Sequence, residues 1–355
     1  MPRMFIPGPV DVDDEVLQAQ AQPMLSHRSG EFEAIFQRTA EKAQQLFFTQ
    51  NRVFLTASSG TGLQEAAIRN LVDRRVLSCV NGAFADRWYD VAISNGKDVE
   101  KLAFEWDEPV NPDRVAATVQ KGGFEALTIV HNETSTGLQN PVKEVAEAVR
   151  AVAPDTLVLV DAVSSLSGAR IETDAWGLDM VLTSSQKCLA LPPGLALAAV
   201  SDRALGKAKT VENRGWYFDL LRMEKHRLKD SVPATPAISL IFAFDHQLDR
   251  ILAEGLENRF ARHSAMAQRV QEWTDAHDLS MYAPEGFRSQ TVTTIKNERG
   301  IDVSDLNTFL KQRGMHLANG YGPLKNITFR IAHMGEIQMT DLEELFVAME
   351  EYLNQ

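Results

Sequence analysis

An α/β fold with a mostly parallel sheet covered by helices, followed by a smaller α+β domain, is what this sequence predicts, and three observations predict it. Helical and strand-like segments alternate from about residue 31 onward. Several of the apolar runs are continuous rather than alternating, as in strands buried on both faces. Beyond about residue 250 the pattern changes to a long helical stretch and then short mixed elements. We therefore expect a large domain over residues 1–252 and a small one over 253–355.

Taken in order, "EFEAIFQRTAEKAQQLFF" repeats apolar residues at helical spacing through Phe32, Ile35, Phe36, Ala43, Leu46 and Phe47. Six strand candidates follow: "RVFLTA", "RRVLSCV", "ALTIVH", "TLVLVDAV", "DMVLTS" and "LALAAVS". Helical segments such as "GLQEAAIRNLV" and "VKEVAEAVRAV" separate many of them. The second part opens with a helical stretch, "ISLIFAFDHQLDRILAEGLENRFARHSAMAQRVQEWTDAH". It continues through "TVTTI", "VSDLNTFLKQRG" and "ITFRIAHMG" to a final helix, "TDLEELFVAMEEYL".

Charge narrows the partners. The 355 residues carry 48 acidic against 36 basic side chains, a net charge of -12, which repels phosphate backbones and anionic lipid surfaces. No local basic patch offsets this, so we expect small-molecule substrates and further copies of the chain as partners, with no nucleic acid and no membrane. The opening "MPRMFIPGPVDVDDEV" lacks an apolar run of signal-peptide length, and two cysteines without metal-ligand spacing give neither a disulfide framework nor a metal site. A cytoplasmic setting is the expectation.

Three features fall at predicted strand ends, where open α/β sheets bind ligands. In "TASSGTGLQEAA" the residues Ser59, Gly60 and Thr61 open a helix, either as an ordinary capped turn or as a cup for a phosphate. Asp161 ends the apolar run "TLVLVD", where a carboxylate either caps the next turn or meets a cation such as a protonated ring nitrogen. Lys187, in "VLTSSQKCLALPPG", is by itself a lysine after a strand; in a dry pocket it is an amine nucleophile. Phosphate cup, carboxylate and amine together match the handles of pyridoxal 5′-phosphate.

The run of motifs "SSGTGLQEAA", "HNETSTGLQNP", "VDAVSSLSG", "SSQKCLALPPG" and "FRIAHMG" resembles the class V pyridoxal-phosphate-dependent aminotransferases, most closely the alanine–glyoxylate and serine–pyruvate (serine–glyoxylate) branch. The resemblance implies the aspartate aminotransferase-like fold, fold type I, and a homodimer with active sites at the subunit interface. It implies that Lys187 holds the cofactor as a Schiff base and moves the substrate Cα proton, and that Asp161 keeps the pyridine nitrogen protonated. Ser59, Gly60, Thr61 and Gln186 would hold the phosphate, with Thr134 near the ring oxygen. Val163 would pack under the ring and Phe84 stack on its other face. Thr235, in "VPATPAIS", would cross to the neighbouring subunit's phosphate.

Arg330, in "ITFRIAHMG", matches the arginine that grips the substrate carboxylate, while His333 is expected to pack in the core. His27 and Arg28, in "LSHRSG", match a pair that binds a substrate phosphate in the phosphoserine enzymes and also occurs more widely in the class. The expected reaction is ping-pong transamination from alanine or serine to glyoxylate or pyruvate. Phosphoserine or aspartate as donor is the alternative. A cysteine desulfurase shares the scaffold but needs a cysteine on a mobile loop, and Cys79 and Cys188 are poorly placed for that.

Overall fold

A computed structural model describes residues 3–354. Met1, Pro2 and Gln355, the outermost residues of the two expected domains, lie outside the described residues. The six expected strands form, with one more, a seven-stranded sheet in the order Arg52–Ala57, Leu195–Val200, Met180–Ser184, Leu157–Asp161, Ala126–Val130, Arg75–Val80, Asp98–Ala103. The chain therefore has the α/β fold expected of it. Burial explains why the central strands read as continuous apolar runs: in Leu157–Asp161, Val158 and Val160 enter the core on one face, and Leu157 and Leu159 the core on the other.

The added strand, Asp98–Ala103, is at the edge, and its sequence "DVEKLA" mixes partly covered and exposed residues with none buried. Charges on a sheet edge discourage pairing with other chains, and they also hide the strand from a search for apolar runs. Parallel neighbours need a crossover, supplied for example by helix Val142–Val152, whose Val142, Val145, Ala146 and Val149 face the sheet. Leu195–Val200 is the exception, antiparallel to both its neighbours. Its short connection from Met180–Ser184, residues 185–194, is possible only because the two strands run in opposite directions, and it carries Lys187.

A second sheet of four strands has the order Arg3–Phe5, Met315–Asn319, Thr328–Ala332, Val292–Lys296. Helices Leu256–Ala276, Val303–Gln312 and Met339–Leu353 build its core, where Trp273 stacks on Phe346 at 5.1 Å. The strand Arg3–Phe5 pairs in parallel with Met315–Asn319, so the chain starts in this sheet before it builds the larger one. The long helical stretch is two helices, Ile238–Glu254 and Leu256–Ala276, parted at Gly255 with φ of +82°. A backbone in the left-handed region does not continue a helix.

One fully buried arginine ties the two sheets together. Arg259 donates from Nη2 to the Cys188 carbonyl (2.8 Å) and to Glu336 (2.9 Å), from Nη1 to Glu254 (2.7 Å), and from Nε to the Ser167 hydroxyl (3.0 Å). No described helix is long and apolar enough to cross a membrane.

Candidate active site

The C-terminal ends of the parallel strands open into a cavity of about 310 Å³. All the expected cofactor residues except Thr235 line it: Ser59, Gly60, Thr61, Phe84, Thr134, Asp161, Val163, Gln186 and Lys187. A larger opening of about 770 Å³ shares Phe84, Thr134, Gln186 and Lys187 with it and extends to Arg330. The two volumes are the inner and outer parts of one cleft.

Ser59 caps the helix Gly60–Leu71 through its backbone, but its side chain accepts no hydrogen bond from the first turn. The first N–H groups and the positive end of the helix are thus left to face the cavity, an arrangement suited to an anion. Gly60 is there for closeness: a Cβ would fall 2.5 Å from Val163 Cγ2. Nearby, the buried Ser184 hydroxyl has no partner among the described residues.

Asp161 is buried, yet each of its oxygens is held. Gln64 Nε2 donates to Oδ2 at 2.7 Å and the Val163 N–H to Oδ1 at 2.8 Å. Burial pushes its carboxyl up, and those two bonds, with Lys187 and Arg87, push it back toward the charged form. Gln64 is one helical turn beyond Gly60, which brings its amide to the same strand end.

Lys187 is 6% exposed, and its amine is lowered to about 8, first by burial and also by Arg330. Nζ donates to the Pro7 carbonyl and lies 5.7 Å from the centre of the Phe84 ring. The chain at Ile6–Gly8 is pressed against this lysine: Gly8 has φ of +90°, and a Cβ there would meet Lys187 Cδ at 2.8 Å. Nothing in the sequence around Lys187 announces this contact from 180 positions away.

Glu133 is the carboxylate missed in "HNETSTG". Fully buried, it accepts from the N–H groups of Phe84 (3.1 Å) and Ala85 (3.0 Å), at the start of helix Ala83–Ser94, and from the Ser135 hydroxyl (2.6 Å). It anchors the Phe84 ring beside the cavity, although burial pushes its own carboxyl up. Thr134 places its hydroxyl 2.5 Å from that of Ser164. Its carbonyl accepts from Arg330 Nη1 at 3.1 Å.

Arg330 is 7% exposed and makes no ion pair among the described residues. Its Nε donates to the Asn319 carbonyl at 3.0 Å, and burial lowers it to about 10. A buried guanidinium held only by carbonyls is ready for a carboxylate from solution. Tyr321 and Arg87 complete the cleft. The Tyr321 ring is 5.4 Å from that of Phe84, and Arg87 lies 4.8 Å over Phe84 with Nη2 3.3 Å from the Tyr321 hydroxyl.

Other expected residues lie elsewhere. His333 is buried with Nε2 3.0 Å from the Thr293 hydroxyl, and burial lowers it to about 3, so it stays neutral as a packing residue. His27, Arg28 and Thr235 line neither part of the cleft in this chain. They sit on the surface, where Arg28 donates to the Val232 carbonyl at 2.7 Å. Apart from these three, the Phe218 ring approaches Gly62 in the phosphate-cup helix.

Free helix N–H groups with an unpartnered hydroxyl, a held carboxylate and a buried amine fit the phosphate, ring nitrogen and aldehyde of pyridoxal 5′-phosphate. The model for the aminotransferase class-V family matches residues 12–333. An L-aspartate–glyoxylate aminotransferase of Paracoccus denitrificans is 35% identical over 94% of this chain and 86% of its own. A serine–glyoxylate aminotransferase of Methylorubrum extorquens is 31% identical over 96% of this chain and 88% of its own. The crystal structure of an alanine–glyoxylate aminotransferase from a Nostoc species superposes with a TM-score of 0.93, at 30% identity, over 99% of this chain and 95% of that one. The aspartate aminotransferase-like fold, the cleft at its strand ends and the match along nearly the whole length lead to one family: the chain is an aminotransferase and belongs to class V.

Proposed function

We propose that the chain catalyses pyridoxal-phosphate-dependent transamination from a small α-amino acid to a small 2-oxo acid such as glyoxylate or pyruvate, in two half-reactions. The observation that carries this reading is the buried Lys187 amine between Asp161 and the unpaired Arg330. When bound, pyridoxal 5′-phosphate supplies an aldehyde for amines and a ring that takes up an electron pair. Lys187, lowered to about 8, is partly neutral near pH 7 and able to take a proton from the substrate Cα and return it. Asp161, fixed by Gln64 and Val163, offers the negative charge that favours a protonated ring nitrogen. Arg330 grips the α-carboxylate, and the Gly60–Thr61 N–H groups with Ser184 and Gln186 receive the phosphate.

Glyoxylate is common to the names of the three relatives, and their amino donors differ. That supports a small oxo acid as acceptor and leaves alanine, serine and aspartate as the donors to try. An acidic donor such as aspartate is a second reading, favoured by Arg87. The phosphoserine reading has less support, because His27 and Arg28 stand outside the cleft of a single chain. Both cysteines are buried, with thiols pushed up to about 12 (Cys79) and about 11 (Cys188), so the desulfurase reading lacks an exposed thiolate.

A homodimer is part of the proposal, supported by exposed Trp216 and Tyr217 next to the Phe218 that borders the phosphate-cup helix. The proposal also divides the chain into units of residues 1–252 and 253–355, with the first strand docked on the second unit. The test is direct. Purified protein incubated with pyridoxal 5′-phosphate gains a visible absorbance that alanine, serine or aspartate bleaches and glyoxylate or pyruvate restores; absence of the chromophore sinks the proposal.

A further inference from the structure

Arg87 is the charged group in the cleft that none of these roles uses. It follows Phe84 by one helical turn, and its guanidinium lies 4.8 Å over that ring. Its remaining contacts are long: Nη1 is 3.5 Å from the Thr61 hydroxyl and Nη2 3.3 Å from the Tyr321 hydroxyl. No carboxylate pairs with it among the described residues. The outer part of the cleft has no acidic lining at all, although the chain carries 48 acidic side chains, and Lys325 adds a further cation at its edge. Arg87 lines the inner part, where the one carboxylate among the lining residues, Asp161, is already held by Gln64 and Val163, so on so acidic a protein the described lining leaves its cations to an anion from solution.

The rings fix where a second anion would go. Tyr321 stands between Phe84, 5.4 Å away, and Arg330, whose Cζ is 5.6 Å from its ring, while Lys187 Nζ is 5.7 Å from the Phe84 ring. A substrate with its amino group at Lys187 and its α-carboxylate on Arg330 thus has Arg87 and the Tyr321 hydroxyl along its flank. We propose that Arg87 and Tyr321 form a side-chain subsite for a carboxylate, so that a short acidic α-amino acid is preferred as donor to alanine or serine, with the small 2-oxo acid kept as acceptor. A planar two-donor fork backed by a phenol suits a carboxylate and leaves a neutral side chain with an unpaired guanidinium. The inference rests on the transaminase reading of the same cleft.

The test measures binding rather than turnover. Succinate and butyrate, equal in length and differing by one carboxylate, are titrated calorimetrically into the full-length protein loaded with pyridoxal 5′-phosphate. The wild type is expected to hold succinate roughly 30-fold or more tighter than butyrate. Arg87→Gln is expected to bring that ratio close to one while keeping the cofactor absorbance, and Arg87→Lys, which keeps the charge without the fork, to recover part of it. In steady state the aspartate-over-alanine ratio of kcat/KM should fall with the binding ratio. Equal binding of the two acids by the wild type overturns the subsite. So does an Arg87→Gln protein that loses cofactor affinity and binds both acids equally weakly, since the arginine then serves the phosphate beside Thr61. A wild-type protein with no chromophore defeats the transaminase reading instead, and the two failures are told apart.

Discussion

At the scale of single residues, the site works by placing charge where water is scarce. Lys187 shows this best, because its amine is lowered from the ordinary 10.5 to about 8. Between those values the unfolded chain binds a proton that the folded, cofactor-free protein does not. Stability therefore rises with pH across the window from about 8 to 10.5 and is flat below it, by an amount of order 3 kcal/mol. Denaturant titrations of the cofactor-free protein and of Lys187→Met at several pH values should show this slope in the first and not in the second. Lys187→Ala should also remove the visible absorbance and lower the transamination rate by roughly 10² to 10⁴-fold, the range for loss of a general acid and base. Gly60 is the other sensitive position. Gly60→Ala pushes a methyl into Val163, and spectroscopic titration should find cofactor affinity at least about tenfold weaker with the fold intact.

At the scale of elements, the geometry depends on how helices start and strands end. Glu133 satisfies the first N–H groups of helix Ala83–Ser94, so the position of Phe84 is set by a carboxylate 49 residues away. Glu133→Gln turns an acceptor into a group that also presents N–H to N–H, and a loss of about 1–3 kcal/mol is expected in urea unfolding. The strand-end motifs were legible in the sequence because each is contiguous: an apolar run delivers Asp161 or Lys187 directly to the mouth of the sheet. Gln64 and Arg87 were not, because each belongs to a helix whose other residues explain themselves by packing. The edge strand Asp98–Ala103 was hidden by its own charges, and Arg3–Phe5, three residues long, is too short to show any period. Tyr321 lies between two short strands, where no pattern distinguishes a cleft residue from a turn.

At the scale of the whole molecule, two sheets with separate cores share one cleft, and their relation is held by Arg259. Its guanidinium reaches the Cys188 carbonyl beside Lys187 and also Glu336, just past the strand that carries Arg330. Arg259→Met leaves Glu254 and Glu336 facing each other without their common cation. Because Glu254 keeps Arg262 and Glu336 keeps Gln247, thermal and denaturant unfolding should show a loss of about 1–3 kcal/mol, that of hydrogen bonds to charged groups. This coupling was not visible in the sequence, where "GLENRFARH" reads as one more turn of an amphipathic helix.

The strand Arg3–Phe5 has a consequence for how the protein is made. Its pairing partner, Met315–Asn319, emerges from the ribosome after nearly all the rest of the chain. Until then the first strand has nothing to pair with, and Pro7 and Gly8 are held toward Lys187 from one side only, by the Val10 N–H on the Gln186 carbonyl. The large sheet can assemble around its own core early in synthesis, yet the wall over the amine closes only after residue 319 has been translated. A nascent chain halted before that point can be well folded over much of its length and still lack the enclosed pocket that shifts its lysine, so birth order alone delays the onset of chemistry.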